Sequence, residues 1–260
     1  MTPEKIATAA KLLADAYNRH DQLPEIPADC SPQEREDSYA IQDAMAENLG
    51  LTCAGWKLGM SAPGTMRQFG VTAPVPGRIF KECIFDDGAS VRAGHFSAPK
   101  VEPEFAARLK NDLPPRDAEY TYAEVAAATG AILLCFEIAD NRVAMATPQP
   151  LAMIADNGGF AAYVVGPEVA NWRDVDFAAA PVDLIIDGEV AAPGLTGEFR
   201  IDPIDVVVWT INDLSRRGYG MAAGDLISTG SATVPTAMGI GSEAIGKFEG
   251  LGEVRVKFTP

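Results

Sequence analysis

Hydrophobic and polar positions alternate at helical spacing at the start of the chain. Apolar side chains in residues 3–19 recur every three or four positions, which predicts an amphipathic helix. A second helix is predicted from Ser31 to Leu49, because Ser31 and Glu34 have the spacing of a capping box and Gly50 can end a helix. The first fifth of the chain is therefore expected to be helical.

Beyond Gly50 the pattern changes to short apolar runs separated by glycine, proline and aspartate, which is typical of strands and turns. Asp187-Gly188 predicts a tight hairpin, and later helices are predicted from Thr121 and over residues 202–218. We expect one folding domain of the α+β class. Its helical N-terminal region, 1–50, would pack on a mixed, mostly antiparallel β core formed by 51–260.

Composition and charge narrow the classes of function. The 260 residues carry a formal net charge of −15, which argues against binding to nucleic acid or to an anionic membrane surface. The four cysteines are scattered and form no C-x-x-C pair, as expected for reduced thiols. The N-terminus lacks the features of a secretory signal, and no apolar run is long enough to cross a bilayer. These features predict a soluble, cytoplasmic protein.

Three glutamates interrupt segments that otherwise resemble buried strands. In KVEPEFAARL, strand alternation places Glu102 and Glu104 on one face, while Pro103 indicates an edge strand or an interrupted ladder. Glu137 follows the apolar run AILLCF. Carboxylates that share a partly buried site repel each other, and three glutamate oxygens suit a hard divalent cation. The alternative is a solvated strand face, with Glu137 paired to an arginine such as Arg142.

Four motifs together resemble the fumarylacetoacetate hydrolase superfamily, in particular its 2-keto-4-pentenoate hydratase / 4-oxalocrotonate decarboxylase branch. The resemblance covers nearly the whole chain, and the motifs occur in the family's order. The motifs are GWKLGMS at 55–61, KVEPEFA at 100–106, CFEIADNR at 135–142 and GDLISTGSAT at 224–233.

The resemblance implies a β-roll core like the C-terminal domain of fumarylacetoacetase, and a Mg²⁺ or Mn²⁺ ion held by three acidic residues. Those residues match Glu102, Glu104 and Glu137. An active-site lysine of the family matches Lys57. The motif that lines the family's substrate pocket points to Thr229, Gly230 and Ser231. The metal would chelate a 2-oxo acid and stabilise an enolate, which serves isomerisation, hydration and decarboxylation alike.

Two further polar residues are candidate substrate ligands. Ser61, like Thr229 and Ser231, could orient a carboxylate or a water molecule, although each could equally be a polar loop residue. Arg78 could pair with a second, distal carboxylate of the substrate, although solvation at the surface is the alternative. His20 and His95 lie outside the recognised motifs, which disfavours the hydrolase branch of the superfamily.

Two positions depart from the hydratase pattern. Val75 stands where the resemblance implies an acidic residue, and decarboxylases of the branch are apolar there. Gly158 replaces a serine that usually follows Ala-Asp-Asn. We expect hydration of 2-keto-4-pentenoate-type substrates from aromatic catabolism, with decarboxylation of a 4-oxalocrotonate-type substrate as the first alternative. A non-catalytic partner subunit is the second. The resemblance also implies a homo-oligomer and allows a complex with a related hydratase or decarboxylase.

Overall fold

The computed structural model describes residues 1–145, 147 and 149–260. Helix α1 begins with Pro3 at its first turn, and the side chain of Thr2 accepts a hydrogen bond from Lys5 N. Within the described residues the α-helices are α1 (Pro3–Arg19), α2 (Arg35–Leu49), α3 (Pro63–Phe69), α4 (Tyr122–Ala128), α5 (Pro150–Ala155) and α6 (Pro203–Arg216).

The strands fall between these helices in two sheets. They are β1 (Cys53–Gly59), β2 (Val75–Phe80), β3 (Ile84–Asp86), β4 (Ala89–Arg92), β5 (Lys100–Leu109), β6 (Thr129–Ala139), β7 (Phe160–Glu168), β8 (Val182–Ile186), β9 (Glu189–Pro193), β10 (Leu226–Ser231), β11 (Thr236–Ala237), β12 (Glu243–Phe248) and β13 (Gly252–Thr259).

The larger sheet has the order β2-β1-β10-β5-β6-β7-β3, and β11 pairs with β5 beside it. The smaller sheet has the order β4-β13-β12-β8-β9. Neighbouring strands run parallel in the pairs β1/β10, β3/β7 and β4/β13, and the other described pairs are antiparallel. The prediction of an α+β chain with a mixed, mostly antiparallel core is therefore confirmed.

The larger sheet curls until strands far apart in its order come into contact. Phe80 on β2 meets Phe160 on β7 edge to face, with ring centroids 6.0 Å apart, although four strands separate them in the sheet. An apolar cluster that includes Leu133 and Tyr163 fills part of the concave interior. The curled sheet therefore encloses a space into which one face of every strand points.

The main core lies between the two sheets. On β5 and β6 the side chains of Phe105, Leu134 and Phe136 point away from the interior of the curl, towards Phe248 and Val256 of the smaller sheet. Because side chains alternate along a strand, the glutamates next to these core residues must point into the interior.

Helices α1 and α2 pack on each other and on the segment around α5. Leu13, Ile41 and Met45 are fully buried with Ala152 and Ala155 in one apolar cluster. The helical N-terminal region therefore shares a hydrophobic core with a segment from the middle of the chain.

Local predictions for the turns and caps have mixed outcomes. The hairpin at 187–188 joins β8 to β9, with positive φ at both residues. The capping box of Thr121 and Glu124 is present at the start of α4. Pro103 lies in an interior strand rather than at an edge, and the ladder between β10 and β5 shifts register between Ala106 and Glu104, next to the proline.

The predicted start of the second helix is wrong. Helix α2 begins at Arg35, and Glu34, its N-cap, makes no side-chain capping bond. Asp37 instead accepts hydrogen bonds from Gln33 N and from the N-terminal amine of Met1. These tertiary and local contacts replace the capping box that the spacing of Ser31 and Glu34 suggested.

Candidate active site

Strand pairing brings the three predicted glutamates together inside the curled sheet. Glu102 on β5 lies directly opposite Glu137 on β6, and Glu104 is two residues further along the same face of β5. One carboxylate oxygen from each of the three lies within 4.8 Å of the others. Glu104 and Glu137 are each only 1% exposed, so this cluster is not a solvated strand face.

Lys57 extends from β1 into the same cluster. Its Nζ atom lies 2.8 Å from Glu137 Oε1, although β10 and β5 separate β1 from β6 in the sheet. The curl of the sheet makes this contact possible. Lys57 is 4% exposed, so the pair is buried.

The electrostatics of the cluster follow from burial and crowding. Burial and the neighbouring Glu137 carboxylate raise the pKa of Glu102 to about 8. Burial, Glu137 and Glu102 likewise hold the pKa of Glu104 well above its usual value. Burial alone would lower the pKa of Lys57, but the Glu137, Glu102 and Glu104 carboxylates outweigh it, and the pKa is raised.

The same residues fit a divalent cation. Among the described residues, Lys57 is the one cation paired with the three carboxylates, 2.8 Å from the buried Glu137 Oε1, so the negative charge of the cluster exceeds the positive charge beside it. Carboxylate oxygens are the ligands that Mg²⁺ and Mn²⁺ prefer. A cation between Glu102, Glu104 and Glu137 would offset the repulsion that raises the pKa of two of them.

Glu104 is oriented by contacts that the sequence did not reveal. Its Oε2 atom accepts hydrogen bonds from Ser228 Oγ and, at 3.3 Å, from Gly230 N on β10. The hydroxyl of Tyr163 in turn donates to Ser228 Oγ at 2.6 Å. A buried chain of hydroxyls from β7 and β10 thus supports one carboxylate of the cluster.

A cavity of about 370 Å³ opens onto this cluster. Its wall includes Lys57 and Glu102, and most of the remaining wall is apolar. Of the predicted substrate-binding residues, the following line it: Ser61, Thr229, Gly230 and Ser231.

The hydroxyls of this wall are held by main-chain carbonyls. Ser61 Oγ donates to Thr229 O at 2.8 Å, and Ser231 Oγ donates to Thr233 O at 2.7 Å. Gly230 has a positive φ, and a Cβ atom there would lie 2.3 Å from Ser61 Oγ. Only glycine fits this approach, and it brings the loop after β1 against the end of β10.

Arg78 does not belong to this group, and its prediction as a substrate ligand is corrected. On β2 it pairs with Trp56, the neighbour of Lys57, so its side chain leaves the opposite face of the sheet. Its guanidinium donates to Gln42 Oε1 at 3.1 Å and to Asp43 Oδ1 at 2.5 Å. Arg78 is buried beneath α2, where Asp43 is its counter-ion.

The proposed alternative partner of Glu137 is also engaged elsewhere. Arg142 donates from Nε to Asp156 Oδ1 at 2.6 Å, in a fully buried ion pair. The turn that follows Asp156 contacts Lys57. A Cβ atom on Gly158 would lie only 2.8 Å from Lys57 Cε.

Val75 is fully buried with Ile154 and does not line the cavity.

Three cavity or support residues were missed from the sequence: Tyr163, Ser228 and Arg200. Ser228 lies within the GDLISTGSAT motif, so the motif was a signal for it, whereas no pattern distinguishes Tyr163 or Arg200. Arg200 lies just before α6 and lines the cavity. Its position there is set by tertiary packing of an irregular segment.

Comparisons with known proteins identify relatives of this chain. The 2-keto-4-pentenoate hydratase of Burkholderia vietnamiensis is 28% identical over 98% of this chain and 97% of its own length. The 2-hydroxyhexa-2,4-dienoate hydratase of Comamonas testosteroni is 30% identical over 86% of both chains. No family model matches the sequence.

Solved structures show the same fold. The 4-oxalocrotonate decarboxylase of Pseudomonas putida G7, complexed with magnesium and adipate, superposes with a TM-score of 0.89. It is 25% identical and the match covers 99% of this chain and 98% of that one. A fumarylacetoacetate hydrolase family protein from Yersinia pestis matches in fold alone, with a TM-score of 0.56 at 18% identity over 78% of this chain and 91% of that one.

The chain has the fold of a fumarylacetoacetate hydrolase family protein, and this fold encloses a buried acidic site. The chain belongs to the family of 2-keto-4-pentenoate hydratases and 4-oxalocrotonate decarboxylases. The described helices do not include one with the length and apolar composition of a membrane-crossing segment.

Proposed function

We propose that this chain is a metal-dependent hydro-lyase for small 2-hydroxy-dienoates. In this proposal, water is added to a substrate of the 2-hydroxypenta-2,4-dienoate type, and a 4-hydroxy-2-oxo acid is formed. The observation that carries the proposal is the buried cluster of Glu102, Glu104, Glu137 and Lys57 at the wall of a cavity of about 370 Å³. The names of the hydratases among the relatives support it.

Glu102, Glu104 and Glu137 would hold Mg²⁺ or Mn²⁺. Magnesium in the decarboxylase of similar fold supports the choice of metal. When bound, such an ion supplies a Lewis acid that stabilises negative charge developing on the substrate's C2 oxygen. Ser228 and Gly230 N fix the orientation of Glu104 by hydrogen bonds to its Oε2 atom.

Lys57 is assigned to proton transfer. Its Nζ atom lines the cavity and lies against Glu137, and the surrounding carboxylates keep the amine charged. A protonated Nζ can donate to C5 of the dienol as the enol proton is lost, which gives the 2-oxo-3-enoate. Water then adds at C4 and a proton at C3, so the overall change is the addition of one water molecule.

Decarboxylation of a 4-oxalocrotonate-type substrate is the second candidate function. A buried, apolar Val75 favours it, because the resemblance implies an acid at this position in hydratases. The decarboxylase among the solved structures supports it as well. In this reaction the bond to a terminal carboxylate breaks, CO₂ leaves, and the electron pair is delocalised onto the C2 oxygen.

A non-catalytic partner subunit is the remaining alternative. It is disfavoured because Lys57 and the three glutamates are all present and assembled. A homo-oligomer, or a complex with a related hydratase or decarboxylase, stays part of the proposal. Analytical ultracentrifugation of the pure chain, with and without such a relative, tests these assemblies.

The activity is tested with purified protein, Mg²⁺ and two substrates. Loss of the conjugated absorbance of 2-hydroxypenta-2,4-dienoate, with formation of 4-hydroxy-2-oxopentanoate, is the expected result. Release of CO₂ from 4-oxalocrotonate without hydration of the dienoate would replace hydration by decarboxylation. No turnover of either substrate, with Mg²⁺ or Mn²⁺, would refute both assignments.

A further inference from the structure

Arg200 is a buried cation in the wall of the active-site cavity. It lies between the short turn of 3₁₀ helix Gly197–Phe199 and the start of α6. The guanidinium carbon lies 5.7 Å from the ring of Phe105, the residue that follows Glu104 on β5. The cavity reaches both Phe105 and Glu102, whose side chains leave opposite faces of that strand. Arg200 is 8% exposed, so its charge is largely removed from bulk water.

This charge has no counter-ion in the part of the chain that the structure describes. Nη1 and Nη2 of Arg200 donate to the main-chain oxygens of Ala180 and Phe177, at 3.1 Å and 2.6 Å. No described carboxylate lies within 4.0 Å of the guanidinium, in contrast to the buried Arg78 and Arg142, which each have an aspartate. A guanidinium has five N–H donors, so these two bonds leave others available.

An unpaired buried charge is costly unless something else supplies the opposite charge. Burial accordingly lowers the pKa of Arg200 from its ordinary value. Among the described residues that line the cavity, Glu102 is the one acid, and it belongs to the metal cluster. A molecule that enters the cavity is in a position to supply the opposite charge.

Counting charges leads to the kind of molecule. Three glutamates, one divalent cation and Lys57 sum to zero, and Arg200 and the more exposed Lys100 add two positive charges to the cavity wall. The carboxylate of a 2-oxo acid would offset one of these two charges, and a second carboxylate on the substrate would offset the other. A guanidinium binds a carboxylate through two parallel hydrogen bonds.

We propose that Arg200 binds a second, distal carboxylate, so that 2-oxo or 2-hydroxy-dienoic dicarboxylates are bound in preference to monocarboxylates such as 2-hydroxypenta-2,4-dienoate. This inference rests on the proposed function, because it takes the first carboxylate to be bound at the metal cluster. It concerns recognition alone, and holds whether the reaction adds water or releases CO₂. It gives Arg200 the role that the sequence had suggested for Arg78.

A purely structural role for Arg200 makes a different prediction. If the side chain served only to hold residues 177–180 through their carbonyls, its loss would weaken the fold and would affect all ligands equally. A specificity role instead affects only ligands that carry the distal carboxylate. Ligand pairs of equal length separate the two roles.

The first test uses the Mg²⁺-loaded wild-type protein and three non-reacting probes in calorimetric titrations. 2-Oxoadipate and 2-oxohexanoate have the same chain length and differ in the distal carboxylate, while oxalate can occupy only the metal cluster. We expect 2-oxoadipate to bind about ten- to a hundredfold more tightly than 2-oxohexanoate. Equal affinities for the two would overturn the inference, with no variant needed.

The second test repeats the titrations with Arg200→Gln, which removes the charge but can still donate to a carbonyl. The preference for 2-oxoadipate is expected to disappear, with oxalate and 2-oxohexanoate binding as before. Arg200→Lys, which keeps the charge, should retain part of the preference. Arg173→Gln is the matched control, because Arg173 also donates to two main-chain carbonyls, those of Ala126 and Thr129, but lies outside the cavity.

The outcomes separate this inference from the proposed function. If oxalate shows no Mg²⁺-dependent binding to the wild-type protein, the metal site itself fails. If oxalate binds normally but Arg200→Gln keeps the preference for 2-oxoadipate, the metal site stands and the assignment of Arg200 is wrong. A uniform loss of affinity for all three probes in Arg200→Gln and Arg200→Lys would indicate the structural role and would also contradict the inference.

Discussion

At the scale of single residues, the site depends on Glu137, which faces one lysine and two other glutamates. Glu137 Oε1 contacts Lys57 Nζ at 2.8 Å and shares the site with the carboxylates of Glu102 and Glu104. Three buried carboxylates and one lysine leave an excess of negative charge, which burial makes expensive. A divalent cation would offset this excess, so the cluster is better explained as a binding site than as a source of stability.

Ser228→Ala tests the support of Glu104. The substitution removes the hydroxyl that donates to Glu104 Oε2 and accepts from Tyr163. Affinity for Mn²⁺ is expected to fall by about 10- to 100-fold, because groups that orient metal ligands have effects of this size. Isothermal titration with Mn²⁺ measures it. Ser215→Ala, whose hydroxyl bonds to the main chain of Arg116, is the control. Unchanged affinity in Ser228→Ala would show that Glu104 is positioned without it.

The residues of the site differ in how far the sequence could predict them. Strand alternation alone put Glu102 and Glu104 on one face. That Glu137 lies opposite Glu102 depends on the register between two strands, which spacing does not give. Arg78 was wrongly expected in the pocket for the same reason, because its face follows from its pairing with Trp56. The position of Arg200 in the cavity wall could not be predicted, because it depends on the packing of an irregular segment.

At the scale of elements, the site is assembled where β1, β2 and the turn after α5 approach closely. Gly77 on β2 faces Asn157, and a Cβ atom there would lie 2.2 Å from Asn157 O. The side chain of Asn157 also bonds to both main-chain groups of Arg78. The adjacent Gly158 contacts Lys57, so the turn links the register of β2 to the position of the lysine.

Gly77→Ala is expected to disturb this contact. The added methyl must push the turn at Asn157 away, which should cost about 1–3 kcal/mol of the free energy of unfolding and lower the activity through Lys57. Urea denaturation and steady-state rates measure the two effects. Gly94→Ala is the matched control, since a Cβ atom there meets nothing within 4 Å. Equal stability of the two variants would mean that the turn adapts freely.

The elements were predicted better than their ends. Alternation and turn residues gave β5, β6, β13 and the 187–188 hairpin, because each has a clear apolar face or turn signal. The start of α2 was wrong because Asp37 pairs with the N-terminal amine, a tertiary contact that a local capping pattern cannot contain. The curl of the larger sheet was implied by the resemblance and not by any pattern of residues.

At the scale of the whole molecule, the N-terminal helices share their core with the catalytic region. Leu13 on α1 is fully buried and packs in a cluster with Val143, Ala152 and Ala155 from the middle of the chain. Because this cluster joins distant parts of the sequence, we propose that residues 1–50 and 51–260 fold as one cooperative unit.

Leu13→Ala tests that unit. Loss of the buried side chain is expected to lower the free energy of unfolding by about 2–5 kcal/mol. The helical signal in circular dichroism and the fluorescence of the buried Trp56 and Trp172 should still change in a single, coincident transition. Loss of helical signal at lower urea concentration than the fluorescence change would instead indicate a separately unfolding N-terminal region.

The most direct test of the account is the binding of Mn²⁺ to the wild-type protein and to Glu104→Gln, measured by calorimetric titration. Glu249→Gln, which changes an exposed glutamate away from the cavity, serves as the control. The account predicts a stoichiometric site in the wild-type and control proteins, weakened by about a hundredfold or more in Glu104→Gln. Binding that is absent from the wild-type protein, or as tight in Glu104→Gln as in the wild type, would contradict it.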